Sequence, residues 1–269
     1  MTAGPPVRLV ALHPVGLDSR VWELVPGLGR LAPGRGPTSC SLTALDLPGH
    51  GSRPPVEGPP ELERLADEVA RALAGRQAGA RTVLVGLSLG GMVAQLTAAR
   101  HPELVDGLVL ADTVAWASPP LRRAVEARAE RTLAGGLEAV LDETEERWFS
   151  AGFRRAHAGT VARVRRWLAG AEPVAHAWTW RAIGAFDARP FLPALRIPAL
   201  VVCGAADRST PPAASRELAA LIPGARYAEL AGAGHLAPLE RPEAFAGLIA
   251  EALAPGGPLA APGPRPVGN

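Results

Sequence analysis

Short apolar runs alternate along the chain with segments whose apolar residues recur every three or four positions. The runs are typical of buried strands, and the wider spacing is typical of amphipathic helices. Their alternation predicts an α/β protein with a mostly parallel sheet of about six strands, covered by helices on both faces. The patterns predict strands at 7–12, 40–45, 82–85, 104–111, 199–203 and 226–230, and helices at 19–24, 62–74, 89–100, 212–222 and 242–253.

Residues 116–187 have a different character, because strand-like runs vanish and arginine-rich helical patterns replace them. Five of the six tryptophans lie in this segment. We therefore predict a helical cap at 116–187, inserted between the two parts of the core at 1–115 and 188–254. The last segment, 255–269, is mostly Pro, Gly and Ala and is predicted to be a disordered tail.

The residues between the third strand and the next helix read Gly86-Leu87-Ser88-Leu89-Gly90. A G-x-S-x-G sequence between a strand and a helix is the pattern of a nucleophile elbow, in which a sharp turn exposes the serine hydroxyl. The helix that follows directs its free N–H groups to the same place. The other interpretation is an ordinary strand-to-helix turn, and the flanking strand and helix favour Ser88 as a nucleophile.

A nucleophilic serine needs a base to take its proton and an acid to orient that base. At the carboxyl ends of the late strands, Asp207 follows the strand 199–203 and His235 lies in a Gly-rich loop after 226–230. The order Ser, Asp, His is the one found in this architecture. Asp207 could instead cap the helix at 212–222, and His235 could be a loop histidine. Asp112, which ends the strand 104–111, is an alternative acid.

The oxyanion of an acyl-transfer reaction needs two N–H donors. Leu89, directly after the serine, is one candidate. The loop after the first strand should supply the other, and Pro14 in that loop has no N–H. Val15 is therefore the second candidate donor.

The cap should supply the substrate contacts. Trp178 and Trp180 are two positions apart and cannot face the same way on a helix, so at most one of them lines the pocket. We predict Trp178 in that position. Arg181 and the pair Arg154-Arg155 are candidates to hold a substrate carboxylate.

The composition excludes several classes of protein. The 269 residues carry a formal charge of +2 and include arginine but no lysine, without a basic stripe, so no nucleic acid is expected as a partner. No apolar run reaches about 18 residues, and no charged leader precedes an apolar stretch, so no membrane span and a cytoplasmic location are expected. Cys40 and Cys203 should be free thiols. The spacing of His, Cys, Asp and Glu predicts no metal, and we expect no cofactor and a small-molecule substrate.

With these residues in place, the chain resembles the α/β-hydrolase superfamily, and within it the 3-oxoadipate enol-lactonase-like group. The resemblance implies that Ser88, Asp207 and His235 form the triad and that Val15 and Leu89 hold the oxyanion. It implies hydrolysis of an ester or lactone through an acyl-enzyme. The matching stretches are LHPVGLDSRVWELV (12–25), DLPGHGSRPPVEG (46–58), VLVGLSLGGMVAQLTAARHPELVDGLVLADT (83–113), IPALVVCGAADRSTPP (197–212) and AGAGHLAPLERPEAF (231–245).

Two departures from the family pattern bear on partners and activity. Relatives usually have a β-hairpin before the first strand found here, and without one the strand 40–45 becomes an exposed edge, which favours a homodimer. Many relatives also have His-Gly where this chain has His13-Pro14, which stiffens the oxyanion loop. Two other functions therefore stay open: a biosynthetic enzyme on the same scaffold (a cyclase, dehydratase or thioesterase-like enzyme), and a non-catalytic ligand receptor.

Overall fold

One parallel sheet of six strands forms the centre of the molecule. The computed structural model describes residues 5–31, 39–55, 58–75 and 79–260. The strands lie side by side in the order β2-β1-β3-β4-β5-β6, and every neighbouring pair is parallel. The predicted fold class is thus confirmed. The strands are β1 (Val7–Leu12), β2 (Cys40–Leu45), β3 (Arg81–Leu87), β4 (Gly107–Ala111), β5 (Ala199–Gly204) and β6 (Arg226–Leu230).

The central strands are buried on both faces, which is why they read as continuous apolar runs. All residues of β3, β4 and β5 are buried. The core helices are α1 (Leu62–Leu73), α2 (Leu89–Arg100), α8 (Pro212–Leu221) and α10 (Pro242–Leu253), with the short α9 (Ala237–Glu240) before the last of them. Side chains on one face of the sheet pack with α1, α2 and α8, and those on the other face pack with α10.

The predicted elements agree closely with the structure, with three differences. The strand predicted at 104–111 begins only at Gly107, because a 3-10 turn at Pro102–Leu104 precedes it. The segment Ser19–Leu24 is a 3-10 helix with Asp18 as its N-cap, where the sequence had predicted a helix without specifying its type. The four-residue α9 is too short for a periodic pattern and was absent from the sequence prediction.

The cap is a set of helices that leaves the core after β4 and returns before β5. Its two ends meet in an antiparallel bridge between Trp116 and Asp187, next to hydrogen bonds from Ala117 N to Phe186 O and from Ala188 N to Ala115 O. The chain therefore enters and leaves the cap at one point. The cap helices are α3 (Pro119–Gly135), α4 (Leu141–Trp148), α5 (Ala151–Ala156), α6 (Ala158–Ala169) and α7 (Pro173–Ala185).

The sequence predicted a disordered tail at 255–269, but the first part of this segment is ordered. Leu259 is fully buried and its N–H donates to Ala252 O. Arg81 at the start of β3 donates from Nη1 to the Leu259 carbonyl at 2.8 Å. The apolar Leu259 therefore fixes residues 255–260 to the core, and residues 261–269 lie outside the described residues. Within the described ranges no helix has the length and apolar character needed to cross a bilayer.

The described part of β2 pairs with β1 on one side only, and most of its side chains are half-buried. An open strand edge offers unpaired N–H and C=O groups to a second chain. We predict a homodimer that forms through this edge, detectable by light scattering at high micromolar concentration. The substitution Thr43→Lys adds a charge to the edge and should shift the mass toward that of one chain. A single-chain mass for the unaltered protein at that concentration would refute the prediction.

Candidate active site

Four loops meet at the carboxyl ends of the parallel strands, where α/β proteins place their ligand sites. Ser88 directly follows β3, and Asp112 directly follows β4. Asp207 lies three residues after β5, and His235 lies five residues after β6. The sheet order therefore gathers side chains that are up to 147 positions apart in the chain.

Ser88 has a strained backbone. Its φ is 55° and its ψ is −112°, and among the described residues other than glycine only Ser88 and Asp112 have a positive φ. Such a conformation costs about 1–3 kcal/mol, so neighbouring contacts must hold it. The Ser88 N–H donates to Ala111 O at 2.9 Å, and Thr113 Oγ1 donates to Ser88 O at 2.8 Å. These contacts come from the last residue of β4 and from the loop just after it, which together fix the turn.

Gly86 and Gly90 allow the turn to be this tight. A Cβ on Gly86 would overlap the carbonyl of Gly90, and a Cβ on Gly90 would overlap the carbonyl of Leu12 at the end of β1. Because both residues lack a side chain, α2 can begin directly against the ends of β1 and β3. The first N–H groups of α2, which have no helical acceptor, therefore lie beside Ser88.

His235 lies between the serine and a carboxylate. Its Nε2 is 3.0 Å from Ser88 Oγ, and its Nδ1 is 2.9 Å from Asp207 Oδ2. With Nδ1–H donating to the carboxylate, Nε2 is free to accept the Ser88 hydroxyl proton. All three side chains are buried, so the interactions among them are weakly screened.

Asp207 is ionised and held in place by its own loop. Burial opposes its ionisation, but the interaction with His235 and hydrogen bonds from Thr210 outweigh burial and lower the pKa of Asp207. Thr210 Oγ1 donates to Oδ2 at 2.6 Å, and the N–H groups of Ser209 and Thr210 donate to Oδ1 at 2.7 and 3.0 Å. The residue that caps α8 is Pro211, so Asp207 is not a helix cap.

Asp112, the alternative acid, binds backbone and not His235. Its Oδ1 accepts from Gly204 N at 2.7 Å and its Oδ2 accepts from Ala237 N at 3.2 Å. Burial, followed by the nearby charge of Asp207, raises the pKa of Asp112 well above its usual range. Asp112 thus joins the loops that carry Asp207 and His235.

The loop after β1 contains the second candidate oxyanion donor. Val15 and Leu89 are both buried, and neither N–H donates to an acceptor within the described ranges. His13 Nδ1 donates to Pro14 O at 2.9 Å, and His13 Nε2 accepts from Leu47 N at 2.9 Å. The loop is therefore fixed from inside by a histidine, while two buried N–H groups stay available for a ligand oxygen.

A cavity of about 60 Å³ lies over Ser88 and His235 and has room for a few water-sized groups. The core forms its floor, and α3, α4 and α7 of the cap form its walls. Its other apolar lining residues are Met92, Leu121, Ala124, Val125, Trp148, Trp180 and Ile183, and its other polar ones are Arg128, Glu143, Thr144, Arg147, Ser209 and Thr210.

The substrate contacts predicted in the cap lie elsewhere. Arg181 is on the exposed side of α7, where its Nη2 is 2.8 Å from Glu126 Oε1. Trp178 and Arg154 are not among the described residues that line the cavity. The face of α7 that lines the cavity carries Trp180 and Ile183, so a residue two positions from Trp180 points away from it.

Arg128 and Trp180 line the cavity instead, and Arg128 was not among the contacts predicted from the sequence. The guanidinium of Arg128 lies 5.0 Å from the centre of the Trp180 ring. The helical spacing could have indicated that Arg128 faces inward. The buried face of α3 repeats every three or four residues and consists of Val125, Arg128, Ala129 and Thr132. An arginine on the apolar face of a helix is unusual enough to indicate a specific role.

The cap is attached directly to the loop that carries His235. The N–H of Leu236 donates to Trp148 O at 3.0 Å. The buried carboxylate of Glu240 accepts from Ser150 N and Ser150 Oγ, at 2.8 and 2.6 Å, and from Gly234 N at 3.1 Å. The walls of the cavity and the candidate base therefore share one hydrogen-bonded support.

Asp112, Cys203 and Asp207 bring potential metal ligands within 4.8 Å of one another. Their hydrogen bonds fit a polar core better than a metal site. The carboxylates accept from backbone N–H groups, and Cys203 Sγ lies 3.3 Å from Gly204 O. Burial raises the pKa of the Cys203 thiol, which opposes the thiolate that a metal needs.

Comparison with known proteins gives concordant matches. A family model described as "Alpha/beta hydrolase family" matches residues 9–248. The chain is 30% identical over 204 residues to 3-oxoadipate enol-lactonase 2 of Acinetobacter baylyi, covering 76% of this chain and 75% of that protein. It is 31% identical to a pimeloyl-(acyl-carrier protein) methyl ester esterase of Chromobacterium violaceum, covering 94% and 96%. The crystal structure of the enol-lactonase from Burkholderia xenovorans superposes with a TM-score of 0.77 at 29% identity, covering 91% and 90%.

Two buried histidines, His50 in the core and His176 on the cap helix α7, give the stability of the protein a specific pH dependence. Burial lowers the pKa of His50 and of His176 to about 3, against 6.5 when exposed. Between these values the unfolded chain binds a proton that the folded chain does not, so the free energy of unfolding falls as pH falls. Each histidine should contribute a slope of about 1.4 kcal/mol per pH unit between pH 6 and 4.

We predict that His176→Gln reduces this slope by about 1.4 kcal/mol per pH unit, because one titrating group is lost. The glutamine oxygen can still accept the hydrogen bond that Trp180 Nε1 donates to His176 Nε2 at 3.1 Å. Urea unfolding of both proteins at several pH values measures the two slopes. Parallel slopes would show that His176 is protonated in the folded protein.

Proposed function

The chain belongs to the alpha/beta hydrolase family, and from this premise we propose that it hydrolyses a carboxylic ester or lactone with Ser88 as the nucleophile. The observation that carries the proposal is the continuous hydrogen-bonded series from Asp207 through His235 to Ser88 Oγ. This series is the arrangement that activates a serine hydroxyl.

In the first half of the reaction, His235 Nε2 takes the Ser88 proton while Oγ attacks the carbonyl carbon. The carbonyl oxygen becomes an oxyanion that the N–H groups of Val15 and Leu89 bind. The C–O bond to the leaving alcohol then breaks, and the proton on His235 passes to that oxygen. With a lactone, the alcohol stays attached to the acyl group, because the broken bond belongs to a ring.

In the second half, His235 takes a proton from a water molecule, whose oxygen attacks the acyl carbon. A second oxyanion forms and collapses, the acid leaves, and Ser88 regains its proton. Asp207 keeps Nδ1 of His235 protonated and stabilises the imidazolium in both halves. Each oxyanion donor should contribute about 10²–10³-fold to kcat.

The named relatives support ester chemistry, since they are an enol-lactonase and a methyl ester esterase. A cavity lined by both the core and the cap is the usual form of a small-molecule site, in keeping with the expected small-molecule partner. The triad and oxyanion steps need no cofactor. The cytoplasmic location stays a prediction from the sequence.

We predict that Ser88→Ala lowers the turnover of p-nitrophenyl acetate by roughly 10⁶-fold, because nucleophile and base act as a unit. Release of p-nitrophenolate measures the rate. Ser41→Ala on the exposed edge strand is the matched control and should keep the original rate. Full activity in the Ser88→Ala protein would refute the proposed nucleophile. Transfer of the acyl group to an amine or alcohol, without release to water, would refute hydrolysis.

The two buried carboxyl groups should respond differently to replacement by the amide. Asp207→Asn should reduce kcat by about 10⁴-fold, because an amide facing Nδ1 favours the wrong tautomer of His235. Asp112→Asn should reduce kcat by about tenfold or less, because it alters only hydrogen bonds to backbone N–H groups. Steady-state kinetics of the two variants decide between them, and a larger loss in Asp112→Asn would make Asp112 the acid of the triad.

A further inference from the structure

Arg128 is a buried cation in the cavity that contains Ser88. It lies on the inner face of α3, and only 7% of its surface is exposed. The cavity therefore has a fixed positive charge within the same small volume as the candidate nucleophile.

The guanidinium has few partners in the protein. Arg128 Nη2 donates to Thr144 Oγ1, and the group stacks over the Trp180 ring. Its Nε is buried and has no hydrogen-bond partner within the described ranges. A guanidinium has five N–H donors, so most of them stay available.

No carboxylate neutralises Arg128 at close range. Within the part of the chain that the structure describes, none lies within 4.0 Å of its guanidinium. Glu143 also lines the cavity and its charge acts on Arg128 from beyond 4.0 Å, but its carboxylate pairs with Arg131 and lies 3.9 Å from Arg147 Nη1. Arg147 lines the cavity as well, so the two arginines outnumber the one shared carboxylate.

An unpaired buried charge is expensive, and proteins normally pair such groups or move them to the surface. Burial lowers the pKa of Arg128 only to about 10, so the group stays protonated at neutral pH. The side chain is also held in position, because Trp180 Nε1 donates to His176 Nε2 at 3.1 Å and this bond fixes the ring beneath it. A cation that is buried, oriented and unpaired in a ligand cavity fits a negative charge on the ligand.

We propose that Arg128 and Thr144 form an anion-binding subsite that receives the free carboxylate of the substrate while its ester or lactone carbonyl lies at Ser88. The substrate class is then the half-ester or lactone of a short dicarboxylic acid. This inference rests on the proposed function. A carboxylate is the anion we assign to it, because the single guanidinium of Arg128 matches one negative charge.

The test uses protection of Ser88 against a fluorophosphonate probe, so it needs binding but no turnover. The competitors are the monomethyl esters of malonic to pimelic acid, each paired with the methyl alkanoate in which a methyl group replaces the carboxylate. We expect at least one half-ester to protect at a concentration about tenfold or more below that of its neutral partner. In Arg128→Gln this preference should disappear when protection is expressed relative to that variant's own labelling rate without competitor.

Arg123→Gln is the matched control, because Arg123 lies on the same helix with its side chain exposed, and the preference should persist there. Arg128→Lys keeps the charge without the planar fork and should keep part of the preference, which tests the idea even where the glutamine variant does not fold. Equal protection by charged and neutral esters, or an unchanged preference in Arg128→Gln, would overturn the subsite alone. Stronger protection by methyl phosphate would overturn its assignment to a carboxylate. Absence of Ser88 labelling in the unaltered protein would overturn the proposed function with it.

Discussion

The strained turn at Ser88 is the constraint on which the rest of the site depends. The positive φ of Ser88 is maintained by two sets of contacts. The start of α2 packs directly on the ends of β1 and β3, and Ala111 and Thr113 form hydrogen bonds with the Ser88 backbone. The same close approach places the start of α2 beside the loop that contains Val15. One local packing arrangement therefore sets both the direction of the hydroxyl and the position of the two free N–H groups.

The core and the cap contribute different parts of the candidate site. The core holds the reacting groups on rigid strand ends, and Asp112 joins the two late loops through their backbone N–H groups. The cap closes the cavity and supplies the buried Arg128. The core and the cap are joined next to the candidate base, because Glu240 accepts hydrogen bonds from Ser150 in the cap and from Gly234, the residue before His235.

The core was predicted well because each of its strands, helices and turns is encoded by a short stretch of neighbouring residues. A parallel sheet brings its carboxyl ends to one edge, so the positions of Ser88, Asp207 and His235 after their strands were enough to predict that they meet. The cap could not be predicted in this way. The spacing places Arg128 on the apolar face of α3, but whether Arg128 or Arg181 faces the cavity depends on how α3 packs against α7. The burial of Leu259 also depends on tertiary packing. A single apolar residue fixes a Pro- and Gly-rich segment to the core, and one residue forms no pattern that a sequence can reveal.

The most direct test of the central claim is the rate at which a fluorophosphonate labels the protein with and without the imidazole. Mass spectrometry of the peptide that contains Ser88 locates the label. The account predicts a single label on Ser88 and a rate about 10³-fold slower in His235→Asn, because the hydroxyl then has no base. Labelling at the same rate in both proteins, or at another residue, would contradict it.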